Sequence, residues 1–281
     1  MKRIPLFLIV CSSTAFSMIG CNSSNDKKVE TATEEQKLSM QVKEDTAVYN
    51  LDSVTMIGYV AWDASTDKKR PVVLVVHEWW GLNEYTKSRV KQLAELGYLA
   101  FAVDMYGNGM KADNPKLAGE LATPFYKDPV MAKGRFDAAM QKALSYPVAD
   151  NSKVAAIGYC FGGTQVLNMA LLGDPLKGVV SFHGGLETAP VNKDLLKANI
   201  LICHGEADSF VPAEQVAAFR KKLDSTGAVY TFKSYPGATH AFTNPGATET
   251  GKKFDMPISY NAAADTASWA DMKNFFAGIF K

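Results

Sequence analysis

The stretch that decides the fold is a glycine-rich turn between two apolar runs, and it reads Gly158-Tyr159-Cys160-Phe161-Gly162-Gly163-Thr164. The run before it, residues 154–157, predicts a buried strand, and the run after it, residues 166–172, predicts a buried helix. Glycines two residues before and after Cys160 match the spacing of a sharp strand-to-helix turn, where a Cβ atom would clash. Such a turn presents its central side chain at a helix N-terminus, where the helix dipole favours a thiolate.

A structural interpretation of the same turn remains open at this point. Free cysteine is one of the most frequently buried residue types, so Cys160 could fill space beneath a glycine-rich turn without reacting. A nucleophile would also need a base and a group that orients the base. The rest of the chain must supply both.

Composition narrows the class of protein. The chain has 281 residues, of which 47% are hydrophobic and 21% charged, with a formal net charge of +1. These values are typical of a globular α/β domain and give no support for nucleic acid as a partner. We expect a monomer that needs no cofactor and no metal.

The N-terminus has the features of an export signal. Lys2 and Arg3 precede an apolar segment that is too short to span a membrane, and the segment ends in Met18-Ile19-Gly20-Cys21. This ending resembles the lipobox of bacterial lipoproteins, although Met18 replaces the usual leucine. The resemblance implies a signal peptide over residues 1–20, lipid on Cys21, and a protein exported and anchored to the periplasmic or outer-membrane face. An ordinary secretory peptide cut elsewhere is the alternative.

The four cysteines do not suggest a disulfide framework. Cys11 would leave with the signal peptide, Cys21 would carry lipid, and Cys203 lies in an apolar run where it would fill the core. Residues 21–45 are polar and lack an apolar period, which predicts a flexible tether. The folded domain is then predicted over residues 46–281.

Strands and helices alternate along this domain. The β-branched run Val72–Val76 is typical of a strand buried on both faces of a parallel sheet. Apolar residues at helical spacing follow this strand and recur after the Cys160 turn, which predicts helices in both places. Residues 105–128 are predicted to be irregular. The pattern predicts a mostly parallel sheet with helices on both faces.

Chain order points to a base and an acid for Cys160. Of four histidines, only His240 follows the last predicted strand, in a loop that can reach the carboxyl ends of the strands. Asp208 lies in a strand-end loop between Cys160 and His240 and is the favoured carboxylate, with Glu206 as the alternative. Nucleophile, acid and histidine in this order are typical of α/β-hydrolases.

Four ordered motifs together resemble the dienelactone hydrolase family, which has the α/β-hydrolase fold. They are His77-Glu78-Trp79-Trp80-Gly81, the Cys160 turn, Gly205-Glu206-Ala207-Asp208, and Gly237-Ala238-Thr239-His240-Ala241-Phe242. The resemblance extends from about residue 46 to the C-terminus. It implies a catalytic triad of Cys160, Asp208 and His240, and it implies that Glu78 contacts the resting cysteine and acts as a base when substrate binds.

The same chemistry predicts where the substrate binds. An oxyanion would be held by the backbone N–H groups of Trp79 and Phe161. The side chains expected to border the substrate pocket are Trp80, Tyr126, His183 and Phe242. The predicted function is hydrolysis of a small ester or lactone through an acyl-cysteine intermediate. A peptidase of the same fold and a non-enzymatic lipid-anchored binding protein are the alternatives.

One departure from the family affects the substrate. Members that cleave dienelactone carry arginines for the substrate carboxylate, one of them shortly after the catalytic histidine, where this chain has Thr243 and Asn244. Both residues would offer neutral hydrogen bonds to a substrate. The basic residues that could still reach the rim are Lys111, Lys116, Lys127 and Arg135. We therefore expect neutral substrates to be preferred.

Overall fold

An eight-stranded sheet forms the centre of the molecule, in a computed structural model that describes residues 39–281. The strand order is β1-β2-β4-β3-β5-β6-β7-β8. From β4 to β8 every neighbouring pair is parallel, whereas β1 and β2 form an antiparallel edge. The strands are β1 Val42–Leu51, β2 Val54–Asp63, β3 Arg70–Val76, β4 Leu99–Val103, β5 Ala149–Tyr159, β6 Gly178–Phe182, β7 Asn199–Gly205 and β8 Tyr230–Tyr235.

The alternation of side chains along β3 explains why the sheet is covered on both faces. Val72, Leu74 and Val76 enter one apolar core, while Val73 and Val75 enter the core on the opposite face. All five side chains are fully buried. Successive residues of a strand point to opposite faces, so a continuous apolar run requires helices on both sides.

Seven helices in the described residues connect the strands. They are α1 Glu84–Glu95, α2 Pro115–Lys127, α3 Pro129–Leu144, α4 Phe161–Leu171, α5 Ala213–Asp224, α6 Ala247–Phe254 and α7 Ala262–Ile279. Asparagine side chains cap three of them, because Asn83, Asn114 and Asn261 each accept a hydrogen bond from the first turn. The predicted mostly parallel sheet with helices is confirmed.

Two boundaries differ from the sequence-based predictions. The first strand begins at Val42, so the last residues assigned to the tether pair with β2 instead. The segment 105–128, predicted to be irregular, contains helix α2. Its helical pattern is obscured by Gly119 and Pro124 in the helix interior, but the Asn114 cap and Pro115 at the first turn start it.

The predicted signal peptide and the lipid-bearing Cys21 lie outside the described residues. Between residues 39 and 281, no helix is long and apolar enough to cross a membrane.

The parallel strands bring four chain segments to one edge of the sheet. Glu78 follows β3, Cys160 follows β5, Asp208 follows β7 and His240 lies in the loop after β8. Carboxyl ends of parallel strands meet at the same edge, where open α/β sheets bind their ligands. The fold therefore gathers the predicted site residues from segments far apart in sequence.

Candidate active site

The turn at Cys160 is as sharp as the sequence predicts. Cys160 has φ 53° and ψ −116°, a strained conformation for a residue with a side chain. A Cβ atom on Gly158 would lie 2.0 Å from the Gly162 carbonyl oxygen, and one on Gly162 would lie 2.2 Å from the Val76 oxygen. Only glycine fits at these two positions, because backbone from β3 and α4 closes on the turn. The sulfur is consequently held at the start of α4.

His240 and Asp208 meet across the loops that follow β8 and β7. His240 Nδ1 lies 2.8 Å from Asp208 Oδ2, and the Asp208 side chain is fully buried. A carboxylate only accepts hydrogen bonds, so Nδ1 carries the proton and Nε2 is left for another partner. The backbone N–H of Phe210 donates to the second Asp208 oxygen at 2.9 Å, which fixes the carboxylate. Glu206, the alternative acid, is exposed.

The charge on His240 depends on its neighbours. Burial alone would lower the pKa of His240, but the charge of Cys160 and the hydrogen bond with Asp208 raise that pKa to about 10. At neutral pH the imidazole therefore holds a proton beside the sulfur. A proton held there is ready for transfer to a leaving group.

Two backbone N–H groups next to Cys160 are available to a ligand. Within residues 39–281, neither the Trp79 N–H nor the Phe161 N–H donates to a backbone carbonyl. The two segments are held together, because the His77 ring stacks on the Phe161 ring with centroids 5.7 Å apart. Tyr106 also donates its hydroxyl to the Trp79 carbonyl at 2.8 Å. Paired donors of this kind can hold a negative oxygen.

Glu78 is buried in the loop that follows β3, and its hydrogen-bond partner is Asn244. Its carboxylate accepts a hydrogen bond from the Asn244 side-chain amide at 2.7 Å. Burial raises the pKa of Glu78 to about 7, although the Asn244 hydrogen bond and the positive charges of His240 and Arg89 oppose the change. Asn244 is the side-chain hydrogen-bond partner of Glu78 in the described chain, and the contact with Cys160 that the resemblance implies stays a prediction. A carboxyl group with this pKa can gain or lose a proton near neutral pH.

A cavity of about 560 Å³ opens above Cys160 and His240. Aromatic and aliphatic side chains form most of its wall, and Thr164, Glu187 and Gln215 are the polar side chains there besides Cys160 and His240. Gln215 donates to the Glu187 carboxylate at 3.2 Å. No lysine or arginine of the described chain lines this cavity. Its shape and lining suit a small, mostly apolar ligand.

Comparison with known proteins fits this geometry. The family model for the dienelactone hydrolase family matches residues 56–280. A protein of Aquifex aeolicus named as a carboxymethylenebutenolidase is 31% identical over 240 residues, which cover 83% of this chain and 97% of the relative. The chain belongs to the dienelactone hydrolase family.

Solved structures agree with the family assignment. The dienelactone hydrolase-like promiscuous phosphotriesterase P91, from metagenomic libraries, is 32% identical, with a TM-score of 0.79 over 85% of this chain and 98% of that one. A structure described as a dienelactone hydrolase of Klebsiella pneumoniae is 24% identical, covers 84% of this chain and 99% of that one, and gives a TM-score of 0.73, which speaks for the fold. The predicted α/β-hydrolase fold is confirmed, and the family assignment makes the protein a hydrolase.

Only one of the four side chains expected to border the substrate does so. Tyr126 lines the cavity, but Trp80 turns to a neighbouring pocket, where it stacks on Phe254. Phe242 is fully buried in the core. His183 is also buried and lies beneath the turn, where its Nδ1 accepts a hydrogen bond from the Cys160 N–H. The sequence-based pocket roles of Trp80, His183 and Phe242 are therefore corrected.

Thr243 and Asn244 stand at the positions where dienelactone-cleaving family members have an arginine, and they also face away from the cavity. Thr243 is fully buried, and Asn244 binds Glu78. None of the four basic candidates, Lys111, Lys116, Lys127 and Arg135, lines the cavity. Lys116 pairs with Glu120, and Arg135 contacts the Met56 sulfur. The cavity therefore has no lysine or arginine from another segment of the described chain that could bind a substrate carboxylate.

The cavity residues that the sequence analysis missed come from several segments. Phe210, Val211, Gln215, Glu187 and Met256 all line the wall. Glu187, Phe210 and Val211 lie in segments that follow β6 and β7, whereas Gln215 lies in the first turn of α5 and Met256 follows α6. Position along the chain therefore did not distinguish them from residues that turn inward.

Proposed function

We propose that the protein hydrolyses a small neutral ester or lactone through an acyl-Cys160 intermediate. The observation that carries this proposal is the hydrogen bond of 2.8 Å from the buried Asp208 to His240, which lines the same cavity as Cys160. Family membership independently supports a hydrolase.

In the first half of the reaction, the Cys160 sulfur attacks the carbonyl carbon and the carbonyl oxygen becomes negative. The N–H groups of Trp79 and Phe161 stabilise this oxygen, since both are free of backbone partners in the described chain. When the carbon–oxygen bond breaks, His240 gives its proton to the departing alkoxide. The products are an alcohol and a thioester on Cys160, or a single ring-opened thioester from a lactone.

In the second half, water replaces the alcohol. His240, now neutral, takes a proton from the water as the oxygen attacks the thioester carbon. Asp208 keeps Nδ1 protonated, so that Nε2 is the nitrogen that accepts. The carboxylic acid leaves, the sulfur departs as a thiolate, and His240 again holds the proton.

Glu78 takes part as a group that can bind a proton near the sulfur. Its pKa of about 7 allows exchange at neutral pH, and Asn244 is a neutral partner that would release the carboxylate more readily than an arginine would. We propose that substrate binding frees Glu78 from Asn244. In those molecules whose Cys160 is still a thiol, Glu78 then acts as the base that removes the thiol proton.

A trapping experiment tests the acyl-enzyme directly. The purified full chain is mixed with 4-nitrophenyl butyrate, quenched in acid within the first turnover and digested for mass spectrometry. We expect a butyryl group on the peptide that contains Cys160. Turnover of the ester with the butyryl group found on another residue, or no turnover of any ester or lactone tested, would refute the proposal.

The cavity wall supports a preference for neutral substrates. A carboxylate must lose water on entry, and only a nearby cation compensates well for that loss. The wall offers Glu187 instead, which would repel an anion. We expect a kcat/KM at least about tenfold higher for neutral substrates, equivalent to about 1.4 kcal/mol.

Dienelactone and its methyl ester form a matched pair for this test, because they differ mainly in the charge of one group. Opening of the lactone ring is followed for both compounds under the same conditions. Equal or faster opening of the anionic compound would contradict the preference.

The two alternatives from the sequence are not favoured by the family assignment. A peptidase would cleave amides of similar shape at rates comparable to the esters, and a binding protein would bind without turnover. The ester assay tests both alternatives when 4-nitroanilides are included. A peptidase would release 4-nitroaniline, whereas a binding protein would cleave neither the ester nor the anilide.

A phosphotriester is a second candidate substrate, because a relative 32% identical is described as a promiscuous phosphotriesterase. Such compounds are neutral and largely apolar, as the wall of the cavity requires. Release of 4-nitrophenol from diethyl 4-nitrophenyl phosphate, lost in Cys160→Ala, would support this activity.

We also propose that Cys21 is lipidated after export and that the chain is anchored by lipid to a bacterial membrane. The support is the sequence Met18-Ile19-Gly20-Cys21 behind a basic and apolar segment. Mass analysis of the mature N-terminus decides the question. An unmodified N-terminus elsewhere in residues 12–30 would refute this proposal.

A further inference from the structure

His183 has an unusual place in the site. It follows β6 with a φ of 41°, and its side chain is buried beneath the turn that carries Cys160. A left-handed conformation is uncommon for a bulky residue and costs free energy, so the surroundings must hold it in place. The mechanism proposed above does not use this imidazole.

One ring nitrogen contacts the nucleophile's backbone. The N–H of Cys160 donates to His183 Nδ1 at 3.1 Å and also points to the Phe182 carbonyl oxygen at 3.0 Å. Because Nδ1 accepts a hydrogen bond, it carries no proton. The neutral ring must then carry its proton on Nε2.

The other ring nitrogen contacts the loop that carries the base. His183 Nε2 lies 2.7 Å from Thr243 Oγ1, so Nε2–H donates to that hydroxyl. The Thr243 hydroxyl also bonds with the Tyr85 hydroxyl at 2.6 Å. Arg89 donates to the Thr243 carbonyl oxygen at 2.6 Å, which fixes this part of the loop.

His183 also contacts His240 itself. The two rings meet edge to face, with centroids 5.3 Å apart. Burial lowers the pKa of His183 well below its usual value, and the positive charges of His240 and Arg89 lower it further. The ring therefore stays neutral beside a charged His240, and Nδ1 remains an acceptor.

We propose that His183 is a positioning residue that ties the Cys160 turn to the His240 loop through its two ring nitrogens. Thr243 selects the tautomer, because its hydroxyl accepts from Nε2–H and leaves Nδ1 free for the Cys160 N–H. A side chain with a single hydrogen-bonding atom could bind either the Cys160 N–H or the Thr243 hydroxyl, but not both. The inference rests on the proposed function only in taking Cys160 and His240 as the reacting pair.

Thr243→Val tests the bridge with little change in shape. Valine has nearly the same volume as threonine but no hydroxyl, so the Nε2–H of His183 loses its acceptor. In the other tautomer the proton is on Nδ1, and Nδ1–H and the Cys160 N–H are then two donors that face each other. We expect kcat to fall at least about tenfold while KM changes less than about twofold, because Thr243 does not line the cavity. Thr243→Ser keeps the hydroxyl and should restore at least about half of the wild-type kcat.

A second readout separates positioning from stability. The rate of Cys160 alkylation by iodoacetamide, measured against pH, reports the Cys160–His240 pair without any ester. We expect its midpoint to shift by at least about half a pH unit in Thr243→Val and to stay unchanged in Thr243→Ser. Wild-type behaviour of both kcat and the midpoint in Thr243→Val would overturn the proposal, as would equal losses in the two variants.

His183→Asn provides the matched second variant, since asparagine tolerates a positive φ and its amide is too short to span both loops. If His183 transmits the effect of Thr243, then adding Thr243→Val to His183→Asn should lower kcat by less than about twofold more. Additive losses would overturn the proposal. Should the wild type hydrolyse no ester, the proposed function fails, while the alkylation midpoints of the same variants still decide the role of His183.

Discussion

Cys160 follows strand β5 and Cys203 lies within strand β7 of the same sheet, and the surroundings of the two thiols differ completely. Cys160 follows β5 on a strained turn and lines the cavity. Cys203 lies within β7 and is fully buried, and its sulfur lies 3.5 Å from the oxygen of the Tyr235 hydroxyl, which donates to Asp271 at 2.8 Å. Both are free of disulfides in the described chain.

The difference shows that backbone placement decides the chemistry of a thiol. Burial raises the pKa of Cys203 to about 12, so its reactive thiolate is almost absent at neutral pH. Cys160 instead has His240 beside it and solvent access through the cavity. A strand interior produces a core residue, and a turn after a strand produces a candidate nucleophile.

The largest expected effect comes from removing each sulfur in turn. Cys160→Ala should lower kcat for an activated ester by at least about 10⁴-fold, because the attacking sulfur of the proposed acyl-enzyme is lost. Cys203→Ala should stay within about threefold of wild type. Steady-state kinetics on both folded variants checks the pair, and comparable losses would erase the distinction between the two cysteines.

Asp208→Asn should have the next largest effect. The amide can donate to His240 Nδ1, which favours the wrong tautomer, so kcat should fall by about 10³-fold. Alkylation of Cys160 should slow as well, and Glu206→Gln is the matched control that should change neither quantity. The prediction fails if the Glu206 variant loses as much activity as the Asp208 variant.

Alkylation of the wild-type protein compares the two thiols in one sample. At pH 7 iodoacetamide should modify Cys160 at least about 100-fold faster than Cys203, since Cys203 is buried and holds its proton. Peptide mass spectrometry at increasing reaction times gives both rates. In denaturant the two rates should converge, and preferential labelling of Cys203 in the native protein would contradict the comparison.

The smallest expected effect concerns Glu78, a buried acid in the loop that follows β3. Its pKa is raised to about 7 in the folded state, so its contribution to the free energy of unfolding is fully present below its unfolded pKa and is lost as the pH rises through 7. Between pH 5.5 and 8.5, the free energy of unfolding of the wild type should therefore fall by about 2 kcal/mol relative to that of Glu78→Gln.

Urea denaturation of both proteins at the two pH values measures this difference. Cys203→Ala serves as the control and should follow the wild-type dependence across this range. A constant difference between wild type and Glu78→Gln would show that Glu78 does not titrate there.

Local pattern by itself determined much of this protein. The glycines around Cys160 predicted the turn, because a Cβ atom in the wrong place clashes with backbone a few residues away. The run Val72–Val76 predicted a strand covered on both faces, and chain order selected Asp208 and His240. The tertiary structure brings Asp208 and His240 to 2.8 Å, while their catalytic roles remain predictions.

Only the tertiary structure decided which neighbouring residues face the substrate. Phe242 and Thr243 turn inward within a few residues of His240, and a sequence pattern does not report that direction for an irregular loop. Nor could it show that His183 meets Thr243, 60 residues away, or that Glu78 binds Asn244, 166 residues away. Those pairings depend on the packing of separate strands and loops, because a hydrogen bond requires a distance and direction that only the assembled sheet edge fixes.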